Sequence, residues 1–428
     1  MNWQLTLGAS SMAALAVWLS SRCFAHPVSP FSAFYVAWFS SLALYGAGWI
    51  AYTPVRASTW LLIALSLAAF GAGWSIPYLS WDARRVRSSG ELRRGISEAR
   101  LYQAIRLCFA LGAIGLAGFL YSVHSTLGLA AYIEAPHEIR QAMSAGGEVS
   151  EGIKPFNWLN VSNVVLSSLY LFALGGRRRL QVWFVLGFSA AAVLLMEDRT
   201  RFFYATLWAG FMLSFSMKLR AKKIVAGLGI VAVILLAQFI AVAAWLGKVA
   251  ENSPVLMDSS RASSSTLALL PPYMYATSSF PALQAYLDTA PRPTYGAMTF
   301  YPLFKLWKLV DPTLESPAIV ADFVSIPLEA NTFTWLHQFY TDFGVAGVFL
   351  GPLLTGLLAS GLYFHMLRTR NFYSTYATAL LCFCLTLSIM VNHLTQGPAW
   401  FFLASGAVIA CYIRAGRTES AAASEEAQ

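Results

Sequence analysis

Charge is what this chain has least of. Asp, Glu, Lys and Arg make up 11% of its 428 residues, and all 20 acidic residues fall in polar connections or at the ends of apolar runs. A soluble domain carries about twice that share of charge. Ion-coupled secondary transporters place ionisable groups near the midplane of their helices. The apolar runs here have uncharged centres and no clear internal repeat, which counts against that class. Cysteine is scarce too: Cys23, Cys108, Cys382, Cys384 and Cys411 lie in apolar runs or at their ends, so no disulfide framework is implied. Cys382-Phe-Cys384 has the wrong spacing for a metal pair, and no Asp-x-Asp pair or His/Cys cluster reads as a metal site.

Apolar side chains are abundant, at 57% of the chain. A helix needs about 20 residues to cross a hydrocarbon core of roughly 30 Å. Eleven apolar runs approach that length, at 3–21, 31–53, 59–80, 107–127, 158–175, 181–197, 202–217, 224–246, 343–364, 372–391 and 398–413. The chain therefore reads as an all-α polytopic integral membrane protein. Eight helices fill 1–246, a long polar stretch spans 247–342, three helices fill 343–413, and a tail occupies 414–428. The first run lacks a basic start and a small-residue cleavage site, so it is expected to stay in the mature protein.

Lys and Arg accumulate on the cytoplasmic side of membrane proteins. Segment 82–106 carries Arg84, Arg85, Arg87, Arg93, Arg94, Arg100 and Arg106, and is expected inside. Alternation from there also puts Arg177 to Arg179, the Lys218–Lys223 cluster, Arg368, Arg370, Arg414 and Arg417 inside. That side collects 19 of the 29 basic residues but only 6 of the 20 acidic ones. The N-terminus and the stretch 247–342 are then outside and the C-terminus inside. The net charge of +9 is a topology signal and no argument for nucleic acid.

Segment 82–106 is expected to form an amphipathic surface helix on anionic lipid. A second outer loop, 128–157, holds Glu134, His137, Glu138, Arg140 and Glu148 and reads as a solvated connector. Runs six and seven meet at Met196-Glu-Asp-Arg199-Thr-Arg201, a tight outer turn bearing two arginines. They either snorkel and pair locally with Glu197 and Asp198, or present guanidinium forks to a pyrophosphate. The long stretch begins with a Ser-rich piece around Arg261, followed by an aromatic helical piece at 273–287. A turn at Pro291-Arg292-Pro293-Thr-Tyr-Gly296 leads to an amphipathic interfacial helix at 298–310. Last comes an extramembrane helix over 331–342, presenting Asn331, Thr334, His337/Gln338 and Thr341 on one face. Asp342 reads either as an N-cap for run nine or as a functional carboxylate. The glycines at 344, 347, 351 and 356 suit close packing of that run. The C-terminal piece from Glu419 reads as disordered.

Three features together resemble the bacterial oligosaccharide repeat-unit polymerases, the Wzy-type O-antigen polymerases. These are the Arg199-Thr-Arg201 turn between two spans, Tyr295-Gly-Ala-Met-Thr-Phe-Tyr-Pro302 in a long outer loop, and Asn331-Thr-Phe-Thr…Tyr340-Thr-Asp-Phe-Gly-Val-Ala-Gly347 running into a Gly-rich span. His26-Pro-Val-Ser-Pro30 before run two is similar to the start of many such chains. The resemblance is loose over the architecture and more specific over about 196–356.

It implies a GT-C-like, metal-independent membrane glycosyltransferase without cofactors, acting at the periplasmic face of the inner membrane. Its partners would be undecaprenyl-diphosphate-linked oligosaccharides, membrane lipid and a chain-length regulator protein. A hydroxyl of one lipid-linked repeat unit would attack the anomeric carbon of the chain carried on another, releasing undecaprenyl diphosphate. Arg199 and Arg201, with Arg292 or Arg261, would stabilise that leaving group. Asn331, Gln338 and Tyr340 would contact the glycans. The proton would go to His337 or Asp342, with His393 in reserve, or to no strong base, since the leaving group is good. The related O-antigen ligases carry a functional His before an Asn, where this chain has Ala330-Asn331. A ligase is the alternative within the fold, and a lipid-oligosaccharide transporter is the alternative outside it.

Overall fold

The computed structural model describes residues 2–81, 92, 96–126, 128, 154–195, 199–217, 220–245, 258, 260, 264–308, 310, 311, 313, 314 and 322–425. The order begins α1 Trp3–Cys23, α2 Pro30–Ala47, α3 Ala57–Leu79, α4 Glu98–Thr126, and α5 Lys154–Ser168 with a π-helical continuation Leu169–Leu174. Then come α6 Arg179–Leu195, α7 Arg199–Ser216, α8 Ala221–Trp245, and the short α9 Leu270–Thr277, α10 Ser279–Asp288 and α11 Tyr301–Lys308. An antiparallel ribbon pairs β1 Val324–Ser325 with β2 Glu329–Ala330, and α12 Leu336–Thr369, α13 Phe372–Thr386 and α14 Gly397–Glu425 close the chain.

Six of these helices, α3, α4, α8, α12, α13 and α14, are long and apolar enough to cross a membrane. The protein is an all-α polytopic membrane protein. The other five apolar runs are helical as well, as α1, α2, α5, α6 and α7.

Several boundaries depart from the sequence reading for identifiable reasons. Run two stops early because Gly48 closes α2 in the left-handed region (φ 66°). The connector at 128–157 is shorter, since α5 already starts at Lys154. The last part of 82–106 is no separate surface helix; Glu98 to Arg106 are the first turns of α4. Run ten leaves the α-helix at Thr386 and continues as a 3₁₀ turn, Leu387–Ile389. Most of 82–97, the loop at 129–153 with Glu134, His137, Glu138, Arg140 and Glu148, Glu197 with Asp198, and Arg261 lie outside the described residues.

The chain divides into two compact units, Met1–Val86 with Gly247–Arg368 and Leu380–Trp400, and Arg87–Leu246 with Thr369–Ala379 and Phe401–Gln428. In the first, α2 starts from a capping box. Ser29 Oγ accepts from Ser32 N (3.2 Å), Ser32 Oγ accepts from Ser29 N (2.9 Å), and Pro30 supplies the fixed φ of the first turn. The His26–Pro30 motif is thus a helix start. Helices α3 and α12 cross at backbone contact. A Cβ on Gly73 would lie 2.0 Å from Leu353 O, and one on Gly356 would lie 2.3 Å from Phe70 O. Ser360 Oγ donates to Trp74 O (2.7 Å) beside the crossing. The core above is aromatic: Phe34 stacks on Phe70 at 4.0 Å and meets Trp335 at 5.2 Å, all fully buried. Each such ring contributes roughly 2–3 kcal/mol by burial.

In the second unit, α4 and α5 approach through Gly112 and Gly115, with Asn160 Nδ2 donating to Gly112 O at 3.0 Å. Trp208 of α7 packs edge-on against Tyr376 and donates from Nε1 to its carbonyl (3.2 Å).

Candidate functional site

The described part of the long polar stretch belongs to the first unit and is tied to the α2–α3 connection by side chains. Tyr273 Oη donates to Leu44 O (2.8 Å) and accepts from Trp49 N (3.0 Å). Tyr52 Oη lies 2.9 Å from Thr277 Oγ1. Gln284 Oε1 accepts from Thr59 Oγ1 (2.6 Å) and Arg56 N (3.1 Å), and Arg56 pairs with Asp288 across the exposed rim at 2.9 Å. Burial raises the Tyr52 phenol far above its usual pKa, with the hydrogen bond to Thr277 opposing and Tyr273 and Tyr45 adding. Together these contacts make a rigid platform.

On this platform α12 is broken. Gly344 has φ 59° and ψ −144°, a backbone conformation that side-chain-bearing residues essentially do not adopt. The break folds the first segment, 336–343, back against the helix that follows it. Ideal Cβ positions on Gly347 and Gly351 would meet Phe339 O at 2.0 Å and the Phe339 ring at 2.6 Å. Glycine at these positions lets the chain pack against itself.

Asp342, 1% exposed, sits just before the break and holds the loop that precedes α11. Its Oδ1 accepts from Thr294 Oγ1 (2.5 Å) and Met298 N (3.2 Å), and its Oδ2 accepts from Thr299 N (2.6 Å). Thr294 N donates to Thr341 O (3.1 Å), closing the clamp. The N-cap role for run nine therefore does not hold, because Asp342 lies inside α12 and its carboxylate serves the turn at 294–299. The predicted 298–310 helix starts only at Tyr301, and Met298 and Thr299 lie in the turn that Asp342 holds.

His337 lies one helical turn before Thr341. It is 3% exposed, and burial lowers its pKa from 6.5 to about 4, with the Thr334 backbone and the Asp342 carboxylate opposing the shift. Its ring meets Tyr286 edge-on at 5.2 Å and Phe333 at 5.5 Å. Tyr286 Oη lies 2.5 Å from Thr341 Oγ1, which donates to His337 O (2.7 Å). Burial raises the Tyr286 phenol pKa; Thr341 opposes the shift and the Asp342 carboxylate adds to it. A buried, neutral imidazole keeps a nitrogen lone pair for a proton from a hydroxyl brought to it, whereas both oxygens of Asp342 are taken up by the turn at 294–299.

The sequence-derived candidates therefore divide. His337, Asp342 and the loop following Arg292 come together, with Arg292 itself exposed two residues from Thr294. Gln338 is fully buried and faces elsewhere, its Oε1 2.7 Å from Thr395 Oγ1. Asn331 and Thr334 do not share a helical face with His337. The helix begins at Leu336, Thr334 occupies a tight turn at φ 61°, and Asn331 is a half-buried residue just past β2. Tyr340 is half-buried. His393, buried beside Phe383, has Nδ1 2.9 Å from Gln396 Oε1. Arg201 is half-buried in the first turn of α7 and belongs to the second unit, as does Arg199, whose side chain is outside the described residues. Sequence reasoning missed Tyr286 and Thr294, whereas Thr341 was grouped with His337 on one helical face, as it is in α12. Thr294 and Asp342 are 48 positions apart, and no spacing rule links them.

No family model, no curated protein and no solved structure matches this chain. What the fold defines is a class, the helical polytopic membrane proteins. Within it, this chain carries a folded polar stretch braced against a broken helix.

Proposed function

We propose that the chain is a membrane glycosyltransferase that polymerises lipid-linked oligosaccharide repeat units, with eleven membrane helices and the stretch 247–342 at the periplasmic face. The motif resemblance supplies the reaction. The observation that carries the site is the buried imidazole of His337, set edge-on to Tyr286 and beside a loop clamped by Asp342. A hydroxyl of the acceptor sugar attacks the anomeric carbon of the donor chain, and its proton passes to a ring nitrogen of His337. The bond from that carbon to the pyrophosphate oxygen breaks, and undecaprenyl diphosphate leaves with the electron pair. By the motif resemblance the pyrophosphate falls to Arg199 and Arg201, with Arg292 or Arg261 contributing from the loop. Asp342 positions the Arg292 loop.

Lipopolysaccharide banding in a deletion strain tests this reading. Core bearing a single repeat unit is expected, with the ladder restored by the intact gene and not by the Arg199→Ala, Arg201→Ala double variant. Bare core with long lipid-linked chains would instead make the protein a ligase. Bare core with unpolymerised units trapped on the cytoplasmic side would make it a transporter.

A further inference from the structure

Between α13 and α14 the chain is unwound over Leu387–Gln396, and this turn carries a second cluster of unsatisfied groups. Asn392 and Gln338 are 2% and 0% exposed. Asn392 Oδ1 accepts from Leu394 N (3.2 Å), while its Nδ2 has no partner among the described residues. Gln338 Oε1 faces Thr395 Oγ1 (2.7 Å), and its Nε2 has no partner either. The Thr395 hydroxyl also faces Asn392 O at 2.9 Å, so both amides are anchored on one turn. A hydroxyl has one proton. If it goes to Asn392 O, the Gln338 amide turns over and donates its N–H to Thr395, and its oxygen is orphaned instead. In either arrangement one atom of Gln338 stays unsatisfied, as does the Asn392 N–H on the turn that Gln338 contacts.

Buried amides are ordinarily paired, so the pair calls for an incoming group. That group must accept from Asn392 and be able either to accept from Gln338 or to donate to it. A hydroxyl does both; an anion only accepts. Val391, Leu394 and Gln396 beside these residues are half-buried. Trp400 Nε1 donates to Leu394 O (2.8 Å) and fixes the shape of the turn.

We propose that Gln338 and Asn392 form a subsite for a hydroxyl of a glycan, holding the acceptor sugar of the reaction proposed above, on which this assignment rests. The test uses the full chain in lipid nanodiscs and the lipid-linked oligosaccharide fraction extracted from a host lacking the gene. Thermal unfolding and binding are measured for the wild type, Gln338→Met and Asn392→Leu. Gln338→Met removes an orphaned amide nitrogen while the Thr395 hydroxyl keeps Asn392 O, so without ligand it should unfold at or above the wild-type temperature; Asn392→Leu also frees Leu394 N and should unfold somewhat below it. Each should bind the fraction about tenfold more weakly, the factor for roughly one hydrogen bond to a buried group. Sugar-free undecaprenyl phosphate should bind all three equally. A role that is only structural, such as holding a buried water, predicts the opposite: a lower unfolding temperature for Gln338→Met and unchanged binding, and that result overturns the subsite while leaving the glycosyltransferase reading intact. A wild type that fails to bind the fraction overturns both. If an apolar variant does not fold, Asn392→Thr takes its place, and binding equal to wild type overturns the subsite.

Discussion

Replacing Asp342 with Ala separates a positioning carboxylate from a proton acceptor. The variant removes three hydrogen bonds to a buried charge. A hydrogen bond to a charged group contributes about 1.5–3 kcal/mol, and a buried donor left unpaired costs about 1–3 kcal/mol. Met298 is 4% exposed, so its N–H stays unpaired, whereas Thr294 and Thr299 are half-buried and water restores part of their loss. The net cost comes to about 3 kcal/mol. Asp342→Asn keeps one acceptor oxygen but turns an NH₂ toward a donor, and should cost about half as much. Amide hydrogen exchange in detergent micelles, read at 294–300, is the assay. In the wild type the Met298 and Thr299 amides are expected to exchange slowly. In Asp342→Ala they should exchange faster by more than about tenfold, and the unfolding temperature should fall. Unchanged exchange together with lost polymerisation would refute the clamp and return Asp342 to the role of base.

Three further outcomes follow from the same geometry. Gly344→Ala should cost about 1–3 kcal/mol, because φ 59° with ψ −144° is closed to a side-chain-bearing residue; unfolding temperature and expression level report it. Gly73→Ala should cost about as much by driving α3 off α12, since its Cβ would fall 2.0 Å from Leu353 O, and cross-linking between engineered cysteines on the two helices should weaken. His337→Phe should cost little stability, because the ring packs between Tyr286 and Phe333 and gives up only its contact with the Thr334 backbone, yet abolish the polymer ladder. A normal ladder in His337→Phe would remove His337 from the reaction.

The helices were legible because apolar runs leave the backbone no alternative in a membrane. All eleven runs are helical in the structure. What escaped the sequence is the places where a distant side chain outbids local pattern. Residues 331–342 carry polar groups at helical spacing, but the helix starts five residues later, after the ribbon and the Thr334 turn. Leu387-Ser-Ile-Met-Val391 is apolar enough to continue α13, yet Ser388 is claimed from afar: its Oγ accepts from Trp38 Nε1 (2.9 Å) and its carbonyl from Trp335 N (2.8 Å). His337, Asp342 and the Arg292 loop stood out in the sequence as candidates. The hydrogen bonds that tie them to their surroundings did not. A carboxylate that caps one helix and one that clamps a remote loop look the same in sequence, and only the partners distinguish them.

The first unit is assembled from three separate lengths of chain. During synthesis, α1 to α3 therefore emerge well before their partners exist. The intervening Arg87–Leu246 takes on the order of 10–30 s to translate. Throughout that interval Gly73 has no helix to close upon, and Tyr52 and Thr59 have no Thr277 or Gln284 to bond. The early helices are thus a half-built socket, and their survival depends on the insertion machinery or surrounding lipid covering the Gly73 face until α12 arrives.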